Sequence, residues 1–580
     1  MTAISEEDKD HWFKTYDTRI AVVVTFLGFL ARLWAAHGIF LNPDEALHFR
    51  LANQPSLLLA YKASLTASHP PLLTVVLYYW RALGTSELWL RMPSVVASVV
   101  FCWMFYKWLA RAAGPIAGFI GLLFGAFLPP IVLLSVEIRQ YPLMLAFLAS
   151  ALYFLDDAFA RDSAAKMAAF TLCLYGAMFS HYSAFFFAAA LGIYALISFF
   201  FNRSSRLFAV WAAGQIGGIA LAIFFYKNHI SKLGLGQTRT VLQGWMSDVY
   251  LQRSYFDSTR DNPALFLLGH AFGVFQYFFG QLAAGDVMGL LFIIGIVFLF
   301  RGKGLLQNSG AARRLGVLLL LPFVIIGAVS LAHVYPFGGT RHVAFLIIPG
   351  FAGVSLAIVC LAKDKVNRSL SIAAVILLAC IVFGKTRPPR MDRADQSHAN
   401  MADAIQFIHQ NLNRSDLIFT DYQTDLILGH YLCQQRPITI DASPDNFEQF
   451  TCDGYRVVSD DYKTEWMFWA DNFPEHWRQL IGAYNLKPGA TVWVFQTGWG
   501  IGLPEDLRKS YAEFHNLQFE SFGANIKIFK LTVGQPMPAA VPSISVLHFP
   551  DELLNSSARR ISSSGMLRPP FLVTTPKLPE

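Results

Sequence analysis

Residues 19–50 read RIAVVVTFLGFLARLWAAHGIF followed by LNPDEALHFR, and this stretch decides the fold. The first part is an apolar run of about 20 residues, long enough to cross a hydrocarbon core of roughly 30 Å as a helix. No small-residue cleavage site follows it, so we interpret the run as a retained membrane span rather than a signal peptide. The second part places Asp44 and Glu45 directly after the run. The sequence therefore predicts two carboxylates at a membrane boundary.

Apolar runs of similar length recur along the chain, of whose 580 residues 54% are hydrophobic and 15% charged. A soluble domain cannot bury that much apolar surface, so we predict an α-helical polytopic membrane protein. We predict about eleven spans, near residues 20–40, 91–111, 115–135, 142–160, 166–181, 183–201, 207–226, 287–300, 315–333, 343–362 and 369–384. An aromatic run near 265–283 is interpreted as a re-entrant or interfacial helix.

The basic residues orient these spans. With residues 1–19 in the cytoplasm, the short Lys- and Arg-rich loops all fall on the cytoplasmic side, and the first loop, 41–90, lies outside. The basic stretch 227–264 also falls outside, although longer loops follow the rule less strictly. The net charge of +7 reflects mainly cytoplasmic Lys and Arg, and no nucleic-acid-binding motif is present. Membrane lipids, and no nucleic acid, are the expected surroundings.

The pattern changes near residue 385. Alternating stretches at 416–420, 490–496 and 526–531 predict strands, and 402–412 and 425–432 predict helices. We therefore divide the chain into a membrane domain at 20–384, a soluble extracytoplasmic α/β domain at 385–535 and an irregular tail at 536–580. Cys433 and Cys452 fall in the α/β domain, where an oxidising compartment would allow a disulfide between them.

Four polar sites from distant segments reach the predicted outer face: Asp44, Glu137, His181 and Arg341. Glu137 lies in an apolar context, where a charge is costly unless it is paired or faces a polar cavity. A membrane-embedded active site would bring such groups together. Simpler interpretations stay open: a solvated loop start for Asp44, a local helix-capping pair of Glu137 with Arg139, and a snorkelling interfacial Arg341.

Other residues are candidates for binding a phosphate or a metal ion. Arg341 suits a phosphate because its planar fork donates two parallel hydrogen bonds. His69, in the sequence HPPL, could face the same phosphate or lie at the membrane interface. A divalent metal is possible, but no spacing is diagnostic of one among Asp44, Glu45, His48 and Glu137. Glycine-rich nucleotide loops and G-x-S-x-G are absent, so no cofactor is required.

The motifs resemble those of a known family. PDE at 43–45, HPPL at 69–72 and SELWLRMPS at 86–94, in this order, resemble the protein mannosyltransferase-like family of GT-C glycosyltransferases. The resemblance is greatest to the bacterial branch of lipid A aminoarabinose transferases and galacturonic acid transferases of the lipopolysaccharide core. E-x-R-x-Y at 137–141 and TRH at 340–342 also fit. The resemblance covers roughly residues 15–385.

The resemblance implies an enzyme that takes a monosaccharide from a polyprenyl-phosphate carrier. It would pass the sugar, with inversion, to a lipid, glycan or protein hydroxyl at the outer face of the bacterial inner membrane. It also implies Asp44 as the catalytic base and Glu137 as the second acid. The remaining candidates for substrate binding are Glu45, His69, Arg139, Tyr141, His181, Arg341 and His342.

Some alternatives to this function stay open. In the aminoarabinose branch the second acid is Asp and a Lys stands near the position of His69, so the donor sugar is not fixed. A transporter or flippase, or a polymerase of lipid-linked glycans, would also use a polar outer cavity. Transporters often contain an internal repeat of spans, and none is found in this sequence.

Overall fold

The computed structural model describes residues 6–232, 251, 253–302, 309–384, 395–444, 446–461 and 466–534. The helices of the membrane part are α1 (Glu6–Ala36), α2 (Pro43–Ala52), α3 (Leu57–Ser64), α4 (Leu72–Trp80), α5 (Glu87–Ala113), α6 (Pro115–Phe127), α7 (Pro129–Ser135), α8 (Tyr141–Arg161), α9 (Ala164–Ser180), α10 (Ala184–Phe201), α11 (Ser205–Asn228), α12 (Pro263–Phe279), α13 (Leu282–Arg301), α14 (Ser309–Leu331), α15 (Ile347–Leu361) and α16 (Val366–Phe383). A 3₁₀ turn, Arg341–Leu346, precedes α15.

The membrane helices confirm the predicted polytopic fold. Within the described ranges, nine helices are long and apolar enough to span a membrane, or ten if α6 and α7, bent by 64°, form one span. The count differs from the predicted eleven at α9, which is an apolar helix of only 17 residues. Before α5 begins at Glu87, the first loop contains the short helices α2, α3 and α4 and a 3₁₀ turn, Arg81–Leu83, none of which is long enough to span a membrane.

Both ends of helix α12 lie on the same side of the bundle. Near its beginning, Leu267 packs on Gly327, close to the end of α14, and just after its end the Gly280 carbonyl lies against Gly384, next to α16. Helix α14 leads to the loop of Arg341 and α16 leads to the C-terminal domain, so both end on the same side. These contacts favour the re-entrant or interfacial helix expected for the aromatic run, which stays a prediction.

A buried arginine stabilises the break between α6 and α7. Pro129 and Pro130 have no backbone N–H, so the carbonyls of Gly125 and Ala126 lose their helical partners. Arg32, fully buried in α1, donates to these two carbonyls at 2.7 and 2.9 Å. Unsatisfied backbone groups are costly at membrane depth, so this residue makes the kink tolerable. The break redirects α7 into the segment that carries the polar side chains after Ser135.

The C-terminal α/β domain is also confirmed. Its elements are α17 (His398–Asn411), β1 (Leu417–Thr420), α18 (Tyr422–Leu432), β2 (Phe447–Cys452), β3 (Tyr455–Asp460), α19 (Phe473–Tyr484), β4 (Thr491–Thr497), α20 (Leu503–Ser510), β5 (Phe519–Ser521) and β6 (Ile526–Thr532). The sheet order is β2-β3-β1-β4-β6-β5, with β3, β1 and β4 parallel to one another. Helix α18 covers one face, and α19 and α20 cover the other. The predicted tail lies outside the described residues.

The sheet domain sits directly on the first loop. Arg50, at the end of α2, forms ion pairs with Asp425 at 2.6 Å and with Glu448 at 2.9 Å. The Tyr431 hydroxyl accepts a hydrogen bond from the backbone N–H of Leu41 and donates one to Glu87, both at 2.9 Å. The packed core is shared between the two parts. Helix α2 is therefore held between the membrane helices and the sheet domain.

The structure pairs Cys433 with Cys452, with their Cα atoms 5.1 Å apart. The bond joins the end of α18 to β2 and confirms the disulfide that the sequence allowed. Among the described residues, the free thiols are those of Cys102, Cys173, Cys360 and Cys380.

We expect the chain, denatured without reductant, to react with a thiol reagent at four cysteines, and at six after reduction. The double variant Cys433→Ser/Cys452→Ser should react at four in both conditions. Its C-terminal domain should lose about 2–4 kcal/mol of unfolding free energy, because a cross-link restricts the unfolded chain. Mass spectrometry of the alkylated protein and denaturant titration measure the two effects. Six reactive thiols without reductant would contradict the disulfide.

Candidate active site

The site is built around the first turn of α2. Asn42 caps this helix: its side chain accepts the N–H of Glu45, and the Glu45 carboxylate accepts the N–H of Asn42, both at 3.0 Å. Pro43 occupies the first helical position, where a missing N–H costs nothing. Asp44 follows in the first turn, where the positive end of the helix dipole stabilises a carboxylate. The reciprocal cap thereby fixes the directions of the two neighbouring acids.

Glu45 is buried and paired within the protein. Its side chain is fully buried and forms a two-pronged ion pair with Arg91, with both N···O distances 2.7 Å. It also accepts the N–H of Ile138 at 3.1 Å. All of its acceptor capacity is used within the protein, which favours a structural role over the substrate contact that was predicted, and that contact stays a prediction. Its role is to position the loop that follows α7.

Asp44 lies between two arginines. Arg341 donates to its Oδ2 atom at 2.9 Å, and Arg139 forms an ion pair with the same oxygen. Arg139 also lies 3.8 Å from the Glu137 carboxylate. The backbone of Arg139 is held by the Ser94 hydroxyl, which donates to its carbonyl at 3.0 Å. Two carboxylates and two guanidiniums from three distant segments thus form one cluster, the carboxylate–arginine cluster.

Beside this cluster lies a row of rings, the histidine row: His48, His69, His181 and Tyr141. Successive ring centroids are separated by 5.9 Å, 5.3 Å and 4.9 Å. Burial and then Arg341 lower the pKa of His48 to about 4 and that of His181 to about 3. Burial, followed by its two histidine neighbours, lowers the pKa of His69 well below its ordinary value. The row is therefore uncharged near neutral pH.

The structure thus gathers most of the residues singled out from the sequence. Asp44, Glu137, Arg139 and Arg341 form the carboxylate–arginine cluster, and His69, Tyr141 and His181 belong to the histidine row. Arg341 links the two groups electrostatically. His342 lies at the same turn, with its Nδ1 atom 3.3 Å from the Thr340 hydroxyl. These residues come from distant parts of the chain, and the fold brings them together at one place.

Sequence reasoning missed two residues and underrated a third. Arg91 and Ser94 belong to the RMPS motif of the resemblance but were given no role, although an arginine within an apolar run is a signal for a buried partner. His48 was considered among the possible metal ligands, yet it extends the histidine row through its contact with His69.

The metal set considered from the sequence does not assemble. Among the residues that the structure describes, no group of three or more His, Cys, Asp or Glu side chains is placed to hold an ion. Glu45, one of the four residues considered, is bound to Arg91 instead. The carboxylate–arginine cluster has an arrangement suited to an anion, because two guanidiniums meet at one point.

Residues 68–226 match the dolichyl-phosphate-mannose-protein mannosyltransferase family. This match confirms the resemblance predicted from the motifs. It covers the segment with His69, Arg91, Glu137, Arg139 and His181. It supports a membrane glycosyltransferase of the protein mannosyltransferase type. No curated protein matches the chain.

Two solved structures have a similar architecture. One is ArnT from Cupriavidus metallidurans bound to undecaprenyl phosphate, with 13% identity, coverage of 90% of this chain and 99% of that chain, and a TM-score of 0.47. The other is the Archaeoglobus fulgidus oligosaccharyltransferase tethered with an acceptor peptide, with 10% identity, coverage of 72% and 63%, and a TM-score of 0.42.

The two adjacent acids should differ sharply in their effect on stability. Glu45→Gln should lower the free energy of unfolding by about 3–5 kcal/mol, because it leaves the buried Arg91 charge without its partner. Asp44→Asn, the matched change one residue earlier, should have a much smaller effect. Chemical denaturation of the detergent-purified protein measures both. Equal losses in the two variants would contradict the positioning role of Glu45.

The histidine row predicts acid sensitivity. An imidazole whose pKa is lowered in the folded protein binds its proton more readily in the unfolded chain. The free energy of unfolding should therefore fall as the pH drops from about 6.5 to about 4, the window of His48. His48→Gln should flatten this dependence, whereas His515→Gln, at an exposed position, should leave it unchanged. Melting temperatures measured across this pH range test the prediction. An unaltered slope in His48→Gln would contradict it.

Proposed function

We propose that the protein transfers a monosaccharide from a polyprenyl-phosphate carrier to an acceptor hydroxyl, with inversion at the anomeric carbon. The observation that supports this best is the carboxylate–arginine cluster, in which Asp44 lies between Arg139 and Arg341. A sugar linked to a lipid phosphate needs cations for the phosphate and a base for the acceptor in one place. The cluster supplies both.

The ion pairs of the free enzyme suggest how the base becomes available. In the substrate-free protein the Asp44 carboxylate pairs with both guanidiniums, and Glu137 supplies the second negative charge. A bound phosphate competes for the same donors, since Arg binds phosphate through its planar fork. As the arginines turn to the phosphate, one oxygen of Asp44 is released. That oxygen can then accept a hydrogen bond from the acceptor hydroxyl.

The proposed transfer is a single displacement. The acceptor oxygen attacks the anomeric carbon while its proton passes to Asp44, and the bond between that carbon and the phosphate oxygen breaks. The electron pair of the broken bond stays on the carrier phosphate, where Arg139 and Arg341 stabilise the growing charge. Glu137, 3.8 Å from Arg139, orients that guanidinium or the acceptor rather than taking the proton.

The same proposal places the reaction on the outer face of a bacterial inner membrane. A disulfide between Cys433 and Cys452 is typical of an oxidising compartment. At the opposite end of α8 from Tyr141, Arg111, Arg161 and Lys166 surround Asp157. Basic residues at that end and a disulfide at the other support the orientation with the sheet domain outside. The acceptor would then be a lipid, glycan or protein on that side.

Release of free polyprenyl phosphate from a labelled polyprenyl-phosphate sugar tests the proposal. The wild-type protein should release it in the presence of envelope lipids and glycans, and mass analysis should find the sugar on the acceptor. Asp44→Asn should lower turnover by about 10²–10⁴-fold, because positioned proton transfer contributes that much. Binding of the carrier should survive, since Asn keeps the size and polarity of the side chain.

Two comparisons complete this test. Arg341→Ala should weaken both carrier binding and turnover, whereas Arg301→Ala, a basic residue at the end of α13, should change neither. A protein that moves labelled donor across a vesicle membrane without releasing carrier phosphate would be a transporter. Near-normal transfer by Asp44→Asn, together with loss of transfer in Glu137→Gln, would assign the base to Glu137.

A further inference from the structure

The carboxyl ends of the parallel strands of the C-terminal domain face the reaction centre. Strand β4 ends at Thr497, and the next residue, Gly498, packs against Pro43, the neighbour of Asp44. A side chain at Gly498 would lie 3.0 Å from the Pro43 ring, and its φ of +108° favours glycine. The first turn of α2 and the loop after β4 are thus in direct contact.

A crevice is expected at this point of the sheet. From β1 the chain continues through α18 to β2 and β3 on one side of the sheet, whereas from β4 it continues through α20 to β5 and β6 on the other. The two helices cover opposite faces of the sheet. In open α/β sheets, ligands bind outside the carboxyl ends of adjacent strands whose connections diverge in this way.

Two buried side chains fix the loop that borders this crevice. The Gln423 amide donates to the Trp499 carbonyl at 2.9 Å and accepts the Trp499 N–H at 3.0 Å. The Thr424 hydroxyl donates to the Thr497 carbonyl and accepts its N–H, both at 3.0 Å. All four contacts hold backbone atoms, so the loop is preorganised while the Trp499 indole stays only partly buried.

Aromatic rings surround the same crevice. The Trp469 ring lies against Gly500, and the Trp466 ring lies 5.3 Å from that of Tyr422. Trp466, like Trp499, is only partly buried. The faces of such rings carry partial negative charge, and they attract the weakly positive C–H groups on the face of a sugar ring. Pockets with a few aromatic walls and fixed polar groups are typical of small-ligand sites.

We propose that this crevice, bordered by Trp466, Trp469 and Trp499, binds a saccharide of the acceptor beside Asp44. The inference rests on the proposed function and names its acceptor class as a glycan. The donor approaches from the membrane side, where its phosphate meets Arg139 and Arg341. The crevice belongs to the sheet domain and reaches α2 from the opposite side, as an acceptor must if its hydroxyl is to meet the anomeric carbon.

Saturation-transfer NMR on the full-length, detergent-purified protein tests the site without any donor. The probe is the lipid-free core oligosaccharide released from bacterial lipopolysaccharide by mild acid. The wild-type protein should saturate the sugar protons, and Trp499→Leu should raise the dissociation constant about tenfold. Trp499→Phe, which keeps a ring face, should bind more tightly than Trp499→Leu.

A matched control lies on β4, the strand that precedes Trp499. Trp493 donates to Asp416 near the other end of β4, so Trp493→Leu should leave oligosaccharide binding unchanged. Four reactive thiols in the denatured variant without reductant, together with a melting temperature equal to that of the wild type, would show that each variant forms the disulfide and folds. Equal binding by Trp499→Leu and the wild type would overturn the site and leave Trp499 as a membrane-interface residue. No binding by the wild type, or binding only of a Ser/Thr-rich peptide, would also overturn it.

This experiment separates the two proposals. A wild-type protein that binds the oligosaccharide through Trp499 but releases no polyprenyl phosphate would contradict the proposed function alone. A protein that releases carrier phosphate while Trp499→Leu binds the oligosaccharide normally would contradict only the glycan site.

Discussion

The buried ion pair of Arg91 and Glu45 holds the candidate site together. The guanidinium of Arg91 also donates to the backbone carbonyls of Ala36, Ile39 and Phe40 at 3.0, 2.9 and 3.1 Å. Through Glu45 the pair reaches the N–H of Ile138. Two charges buried together are stable only when their hydrogen-bonding capacity is used, as it is here. One guanidinium thus connects the end of α1, the start of α2, helix α5 and the loop that carries Arg139.

This pair fixes α2 from the membrane side, and the C-terminal domain fixes it from the other. Arg50, near the opposite end of the helix, is held by Asp425 and Glu448. A ten-residue helix has little stability of its own, so its position depends on these two attachments. The soluble domain therefore belongs to the structural frame of the site. Asp44 lies one residue before the first of these attachments, so the Glu45–Arg91 pair restricts its displacement.

The sequence was sufficient for some elements and not for others. Hydrophobic length predicted the spans, and the order of the motifs brought Asp44, Glu137 and Arg341 to one face. The residues alone did not show which of Asp44 and Glu45 faces the site. The direction of each side chain depends on the Asn42 cap and on an arginine of another helix.

The C-terminal sheet gives a second case. Strands β2 and β3 were not predicted, although Asp453-Gly454 between two alternating stretches is a strong hairpin signal. Their faces are mixed in polarity, with glutamate and glutamine in β2, so the alternation was weak. The contact of Gly498 with Pro43 could not be predicted at all, because it joins two parts of the chain that lie more than 400 residues apart.

The charges at the site explain why its histidines are buried beside arginines. In the free protein, two carboxylates balance Arg139 and Arg341, and the imidazoles next to them stay neutral because burial and the cations oppose protonation. A bound phosphate adds negative charge, and breaking its bond to the sugar adds one more. Each step weakens the opposition to a proton on His69 or His181, since a nearby anion favours the charged imidazole. Under the proposed function, the leaving phosphate would therefore favour a proton on these histidines. In the empty site the neutral imidazoles add no positive charge that would compete with the arginines for Asp44.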